Sequence, residues 1–313
     1  MARLMLLDTA SLYFRAFFGV PDSLRAPDGT PVNAVRGLLD FIARLATDYQ
    51  PTHLVCAWDN DWRPDWRVEL IPTYKAHRVE AEHAEAPDAE EVPDALAVQV
   101  PVIQQVLAAL GIAVVGVDGY EADDVIGTLA TDAGMAVEVV TGDRDLFQLV
   151  DDEAQVRVLY TARGVGKHER VSGAVVRDKY GVTAAQYADF ATLRGDPSDG
   201  LPGVRGVGDK TAANLLATYG DLAGVRAAAA DPGSALTPAQ RTRITEAADY
   251  LDVAPKVVAV ARDLPLGEVD SARPGLDADH PLPADEATLR ELSERWGLAG
   301  SVDRVLVALG TRP

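Results

Sequence analysis

A chain of 313 residues with 48 % hydrophobic content is long enough for one large core or two domains, and too apolar to stay unfolded. Its net charge of −19 speaks against a nucleic-acid partner only if the acids are evenly spread, so their distribution decides. No apolar run approaches the roughly 20 residues of a membrane helix, and the five histidines show no paired zinc-ligand spacing.

Residues 4–7 read as a first strand ending at Asp8, not as a secretory signal, because no cleavage pattern follows. Residues 11–18 read as a helix carrying Arg15, and 26–31 as a Pro- and Gly-containing turn. Over 32–49, Val35, Leu38, Leu39, Ile42 and Leu45 form a helical stripe. Residues 53–58 are strand two, running into Asp59. That strand holds Cys56, the only cysteine. An internal disulfide is therefore excluded, and a reducing compartment, the cytoplasm, is expected.

Residues 60–94 differ in character. Trp62, Arg63, Trp66, Arg67, Tyr74, Lys75, His77 and Arg78 mix aromatics with cations. Glu80, Glu82, Glu85, Asp88, Glu90 and Glu91 follow, among Ala and Pro, with little to bury, so this half is expected to be mobile. Tyr74 and Trp62 suit stacking on a base, worth about 1–3 kcal/mol. Arg63 and Arg67 suit phosphate contacts, while Trp66 suits the core. Lys75 and Arg78 are spaced to share a face of a short helix. That face is either simply solvated or, beside a metal, able to neutralise a scissile phosphate.

Residues 95–110 read as a helix and 112–115 as strand three. Gly119-Tyr120-Glu121-Ala122-Asp123-Asp124 then crowds three carboxylates where a strand ends and a helix begins. Acidic N-capping accounts for one or two of them. The helix N-terminus contributes only roughly 0.3–1 kcal/mol per anion, too little to gather three without a cation. Residues 136–141 are strand four, ending in Gly142-Asp143-Arg144-Asp145, then a short helix over 146–150 and strand five over 155–160. Strands alternating with helices imply a mainly parallel sheet with helices on its faces, so four strand ends bring their acids to one rim. Asp8, Asp59, Glu121, Asp123, Asp124, Asp143, Asp145, Asp196 and Asp199 are hard oxygen donors suited to Mg²⁺ or Mn²⁺. Two such ions can activate water and stabilise the leaving oxygen of a phosphodiester. A single structural Ca²⁺ site would draw its ligands from one loop instead.

After Gly164 the chain reads as helical, with helices expected over 184–193, 211–219, 238–261 and 286–309. Gly203-Val204-Arg205-Gly206-Val207-Gly208 precedes the second of these. It lacks the preceding strand of a dinucleotide fingerprint. It reads as a helix–loop–helix hairpin whose backbone N–H groups and Lys210 grip phosphates without reading bases. A plain αα turn would not need three glycines so close together.

Three sets of residues together resemble the bacterial 5′ nucleases, namely the 5′-nuclease domain of DNA polymerase I and the stand-alone flap endonucleases. The most specific is Gly195-Asp196-Pro197-Ser198-Asp199-Gly200-Leu201-Pro202-Gly203-Val204 with Gly206-Val207-Gly208-Asp209-Lys210-Thr211-Ala212. Glu121-Ala122-Asp123-Asp124 with Thr141-Gly142-Asp143-Arg144-Asp145 is another, and Tyr74-Lys75-Ala76-His77-Arg78 the third. The resemblance implies a PIN-like α/β core over 1–181, with an arch segment at 60–94. It implies a helical DNA-binding region over 182–313, with a helix-two-turn-helix around 195–220. Asp8, Asp59, Glu121 and Asp123 then match positions around one metal, and Asp143, Asp145 and Asp199 those around a second. Asp124 and Asp196 match outer positions, and Lys75 and Arg78 match arch residues that engage the scissile phosphate. Arg15, Arg67, Tyr74, Gly203, Gly206, Gly208, Lys210 and Thr211 are the DNA-contact candidates, with a K⁺ ion on the hairpin carbonyls. The implied protein is a monomeric, nucleoid-associated bacterial enzyme with two or more divalent cations. Its substrate is branched or flapped duplex DNA with a 5′ end, or an RNA–DNA primer. Gly200 departs from the family, which often has Asn there. The alternatives are a non-catalytic branched-DNA-binding paralogue, against which the complete acid set speaks, and a PIN-type ribonuclease, against which the glycine hairpin speaks.

Overall fold

Strand β1 (Arg3–Asp8) is buried on both faces. Leu4 and Leu6 enter one apolar cluster, Met5 and Leu7 another. In β2 (His53–Ala57), Val55 and Ala57 face the first cluster, while Leu54 and Cys56 face the second. Apolar runs without polar alternation are what a parallel strand between two helical layers requires. The computed structural model describes residues 2–79, 92–266 and 282–310. The acidic run expected to be mobile falls on 80–91 and lies outside the described residues, as does most of the loop expected at 275–283.

Four more strands complete the sheet: β3 (Ala113–Val115), β4 (Ala136–Thr141), β5 (Val156–Tyr160) and β6 (Glu169–Val171). Their order is β3-β2-β1-β4-β5-β6, and all neighbours are parallel except β5 with β6. The chain winds outward from β1 through β2 and β3, then returns to the opposite side of β1 with β4. The strand order therefore reverses between β1 and β4, which opens a crevice beyond their C-terminal ends. Asp8 closes β1 and Asp143 follows β4, so both flank that crevice.

Beyond β6 the helices are Gly173–Tyr180, Tyr187–Arg194, Asp209–Tyr219, Leu222–Ala230, Pro238–Glu246 and Ala248–Val258. They continue the first apolar cluster, with Phe190, Leu215, Val225 and Leu251 buried in it. The expected helical region through 313 divides in space. The helices Glu286–Trp296 and Ala299–Leu309 bury Leu289, Leu292, Val302 and Val305 in the other cluster, the first against Val100–Leu110 and the second against Asn33–Tyr49. These last two helices therefore belong to the α/β core. Among the described residues no helix is long and apolar enough to cross a membrane.

Most expected elements form within a residue or two, and five differ. The helix over 95–110 breaks into Asp94–Ala97 and Val100–Leu110, with Pro101 in the first turn of the second piece. The helix over 238–261 breaks at Ala247, and the one over 286–309 at Gly297, whose φ of +65° suits glycine. Residues 146–150 are a 3₁₀ turn, Asp145–Leu149. Strand β6 stands where the chain was expected to turn helical.

Candidate active site

The crevice at the C-terminal rim is a cleft of about 1030 Å³. Asp8, Asp59, Glu121, Asp123 and Asp143 line it, with Arg15, Lys75 and Arg78. Each acid is set by a local device. Asp8 caps the helix Thr9–Gly19, where its Oδ1 accepts from Ser11 N at 3.1 Å. Its Oδ2 accepts from Thr141 Oγ1 at 2.6 Å, across the β1–β4 switch point. Thr141 Oγ1 also accepts from Asp143 N at 2.8 Å, and Asp143 Oδ1 accepts from Asp145 N at 2.8 Å. Asp59 Oδ1 accepts from Ala122 N at 2.8 Å, which ties the end of β2 to the helix Ala122–Ala130. Asp123 lies in the first turn of that helix.

Asp145 and Asp199 lie behind this lip. Asp199 Oδ1 accepts from Arg78 Nη2 at 2.8 Å, and Asp199 O from Lys75 N at 3.0 Å. Asp145 Oδ1 is buried and finds no hydrogen-bond partner among the described residues. Asp124 and Asp196 are differently employed. Asp124 is 0 % exposed and accepts from Arg67 through both oxygens, from Glu121 N and from Ala261 N. Asp196 accepts from Ser198 N, Ser198 Oγ and Arg194 Nη2. Asp124 accepts twice at each oxygen and so keeps no lone pair for an ion, while Asp196 accepts twice at Oδ1 and once at Oδ2. Both brace their neighbours, in keeping with the outer positions expected for them.

Lys75 and Arg78 reach the cleft as expected, on the turn and 3₁₀ segment ending at Arg78. Lys75 Nζ donates to Glu121 Oε2 and to Trp62 O. Arg67 and Tyr74, expected at nucleic acid, are 3 % and 4 % exposed. Arg67 Nη1 donates to Glu121 Oε1 at 2.8 Å, and Tyr74 OH to the same oxygen at 2.6 Å. Both side chains are buried against Glu121 rather than presented outward, where the expectation placed a base or a phosphate. Trp66 is half-buried, with its indole N–H on Gly119 O at 3.0 Å. Arg15 donates to Ala162 O at 3.2 Å from the cleft wall.

The glycine hairpin stands apart from this lip. Gly203 has φ of +64°, and a side chain there would meet the Arg194 backbone at 2.5 Å. Gly206 has φ of +73° and carries the Arg243 guanidinium close above it. Gly208 caps the helix Asp209–Tyr219 with open space around it, and Lys210 is exposed beside half-buried Thr211. Gly200 has a direct structural reason. A side chain there would meet Thr73 O at 2.0 Å, so glycine lets the arch base pack on the 195–204 turn. Sequence reasoning missed Phe14 and Phe18, which line the cleft, with Phe18 73 % exposed. Their signal was an aromatic run directly after Asp8. It also missed Thr141 and Ser11, polar residues adjoining the acids they orient.

Electrostatics identify what the cleft lacks. Burial pushes the Asp8 carboxyl up to about 7, with the charges of Asp59 and Asp143 adding to it. Burial likewise holds Asp123 and Asp145 well above the usual carboxylate range, reinforced by Asp8 and Asp143 for the first and by Asp143 and Asp199 for the second. Asp199 is pushed up to about 6 by burial, against the pull of Lys75 and Arg78. Burial also opposes Glu121 ionising, but Lys75 and Arg67 outweigh it and hold that carboxyl low. Among the described residues no three such groups already close around one ion position. The donor set is nevertheless all carboxylate oxygen, and a buried Asp145 oxygen without a partner is what a hard cation would satisfy.

These acids make stability depend on pH with a definite sign. A carboxyl raised above its unfolded value of 3.8 binds its proton more tightly when folded, so its contribution is full at low pH. That contribution is lost as pH climbs through about 6 and about 7, where Asp199 and Asp8 ionise. In EDTA, the protein is expected to melt at least about 4 °C higher at mildly acidic than at mildly alkaline pH. Mn²⁺ should raise the melting temperature more on the alkaline side. Scanning fluorimetry giving the same midpoint at both pH values would contradict a cation-deficient cluster.

Comparison with known proteins gives a consistent set of likenesses. Residues 3–181 match the family model of the 5′-3′ exonuclease N-terminal resolvase-like domain, and 182–276 that of the 5′-3′ exonuclease C-terminal SAM fold. The chain is 65 % identical over 305 residues to a 5′-3′ exonuclease of Streptomyces coelicolor, covering 97 % of this chain and 99 % of that one. It is 50 % identical over 317 residues to a 5′-3′ exonuclease of Mycobacterium tuberculosis, covering 99 % and 98 %. The fold superposes on a bacteriophage T5 flap endonuclease, solved in a pseudo-enzyme-product complex with DNA and metal ions. There the TM-score is 0.62 and the identity 16 %, over 96 % of this chain and 99 % of that one.

Proposed function

Because the chain belongs to the 5′-3′ exonuclease family through both its resolvase-like and its SAM-fold parts, we propose that it is a divalent-metal-dependent 5′ nuclease selective for DNA structure. It cuts flaps, 5′ overhangs or primer RNA on duplex DNA during replication and repair, as a monomer in the bacterial cytoplasm. The observation that carries this reading is the ring of buried, cation-poor carboxylates at the β1–β4 switch point, faced by Lys75 and Arg78. A nuclease core over 1–181, with its arch at 60–94 and the helices of 286–309 packed on it, would place those acids beside a helical region over 182–258 that grips the duplex.

Asp8, Asp59, Glu121 and Asp123 would hold one Mg²⁺ or Mn²⁺, and Asp143, Asp145 and Asp199 a second. Bound there, such ions supply Lewis-acid activation of water and neutralise charge on the phosphodiester. Asp124 and Asp196 keep their neighbours oriented. Lys75 and Arg78 rest on Glu121 and Asp199, within reach of the cleft, and transfer their charge to the scissile phosphate as it enters. Gly203, Gly206 and Gly208 shape a backbone that holds duplex phosphates, with K⁺ on its carbonyls, while Lys210, Thr211 and Arg15 add contacts. The Arg243 guanidinium over Gly206 adds a further cation to that surface.

A 5′-labelled flap duplex with Mn²⁺ tests the reading. Cleavage by the intact chain and loss of it in Asp145→Ala are expected. No cleavage, or undiminished cleavage by the variant, would refute it. Binding should weaken steeply between about 50 and 200 mM salt because phosphate contacts dominate. Tight binding without metal-dependent cleavage would favour the non-catalytic branched-DNA binder instead.

A further inference from the structure

Arg67 is the most enclosed cation of the segment expected to meet DNA, and it meets only protein. Its guanidinium forks across two carboxylates. Nη1 donates to Glu121 Oε1 and Asp124 Oδ2, both at 2.8 Å, and Nη2 to Asp124 Oδ1 at 2.8 Å. The ring of Trp66 lies 4.6 Å from the guanidinium carbon and holds its plane. Asp124 in turn reaches in two further directions. Oδ2 accepts from Glu121 N at 3.2 Å, and Oδ1 from Ala261 N at 2.8 Å. Ala261 lies on the segment leaving the helix Ala248–Val258, which returns across the core. Val260 N on Gln148 Oε1 and a contact too close at Gly127 for any side chain pin that segment. One buried ion pair therefore joins the arch base, the helix bearing Glu121 and Asp123, and the strap returning from the helical region.

We propose that Arg67 and Asp124 form a positioning joint that fixes the Glu121 carboxylate for divalent-ion binding. This rests on the reading of Glu121 and Asp123 as ion ligands. Arg67 touches neither substrate nor the reacting atoms and acts through Glu121. A planar fork holds both carboxylates in one fixed geometry through parallel donors, which the compact ammonium of a lysine of equal charge does not reproduce. Arg67→Lys therefore alters geometry while keeping charge. Groups that orient an ion ligand typically influence ion affinity by 10–100-fold.

The test is Mn²⁺ titration of the DNA-free full chain, following free Mn²⁺ by electron paramagnetic resonance at fixed pH. Arg67→Lys is expected to weaken Mn²⁺ binding by about 10–100-fold while the chain still unfolds cooperatively. Asp124→Asn should weaken it similarly, and it carries the prediction if Arg67→Lys melts below the assay temperature. The double variant should be no weaker than the poorer single one, since both break the same joint. Mn²⁺ affinity within about twofold of the parent in folded Arg67→Lys or Asp124→Asn would overturn the proposal, as would single effects that multiply in the double variant. Asp123→Asn separates the two layers. If it abolishes binding while Arg67→Lys changes nothing, the joint fails and the ion site stands. If it too changes nothing, the ion site itself fails.

Discussion

Replacing Asp123 by Asn is expected to lower flap-cleavage turnover by about 10²–10³-fold and, in the same protein, to raise the melting temperature in EDTA. The rate loss follows from removing a buried charge at the point where phosphodiester charge must be balanced, an effect comparable to losing an oriented electrostatic donor. The gain in stability follows from the surroundings. Burial and the charges of Asp8 and Asp143 already disfavour the Asp123 carboxylate, and Glu121 adds to that. Asn keeps the side-chain size in the first turn of Ala122–Ala130 and removes that repulsion. Opposite movement of activity and stability is the signature of a site strained for function. Single-turnover kinetics with saturating enzyme and a metal-free thermal melt check both halves. A variant that lost stability along with activity would mark Asp123 as an ordinary structural carboxylate.

Lys75→Met is expected to reduce the single-turnover rate by about 10²-fold or more with little change in duplex affinity. Lys75 is buried at the cleft wall, and its ammonium rests on Glu121. Burial would lower its affinity for the proton, but Glu121 outweighs burial and holds the ammonium charged far above neutral pH. The lysine therefore brings a permanent charge to the phosphate rather than acting as a base. Its removal should lower the height of the pH profile and move its acid limb upward, because Lys75 helps to hold Glu121 and Asp199 ionised, while no alkaline limb is lost. Mn²⁺ binding should be undiminished, because the competing cation on Glu121 is gone. Arg78→Met, at a more exposed position on Asp199, should show the same pattern at smaller amplitude. An alkaline limb present in the parent and absent from Lys75→Met would contradict this assignment, since it would mark the lysine as a titrating base.

Much of the site was legible because its logic is one-dimensional. A parallel strand buried on both faces shows as a short apolar run, and an acid directly after it must lie at the C-terminal rim. Asp8, Asp59 and Asp143 were located by that rule alone. The order reversal between β1 and β4, which puts Asp8 and Asp143 beside one crevice, needs the pairing itself. What stayed hidden depends on partners far apart in the chain. Nothing local distinguishes Arg67, turned inward to Glu121 and Asp124, from Arg78, turned to the cleft. Asp123 and Asp124 are adjacent, yet successive helical positions point in different directions, so one meets the cleft and the other the joint. The helices of 286–309 read simply as helices. Their stripes are equally suited to either apolar cluster, and only packing assigns Leu292 and Val305 to the one behind Met5 and Leu7. Strand β6 is three residues long with an exposed Arg170, too short for alternation to register.

The claim on which the account rests is that carboxylates contributed by separate strand ends share hard cations in one cleft. Anomalous scattering from Mn²⁺-soaked crystals tests it directly. Peaks between Asp8, Glu121 and Asp123, and beside Asp143 and Asp145, are the result expected, with Lys75 withdrawn from Glu121. Saturating Mn²⁺ that left this cleft without a peak, or bound only at surface acids elsewhere, would contradict it.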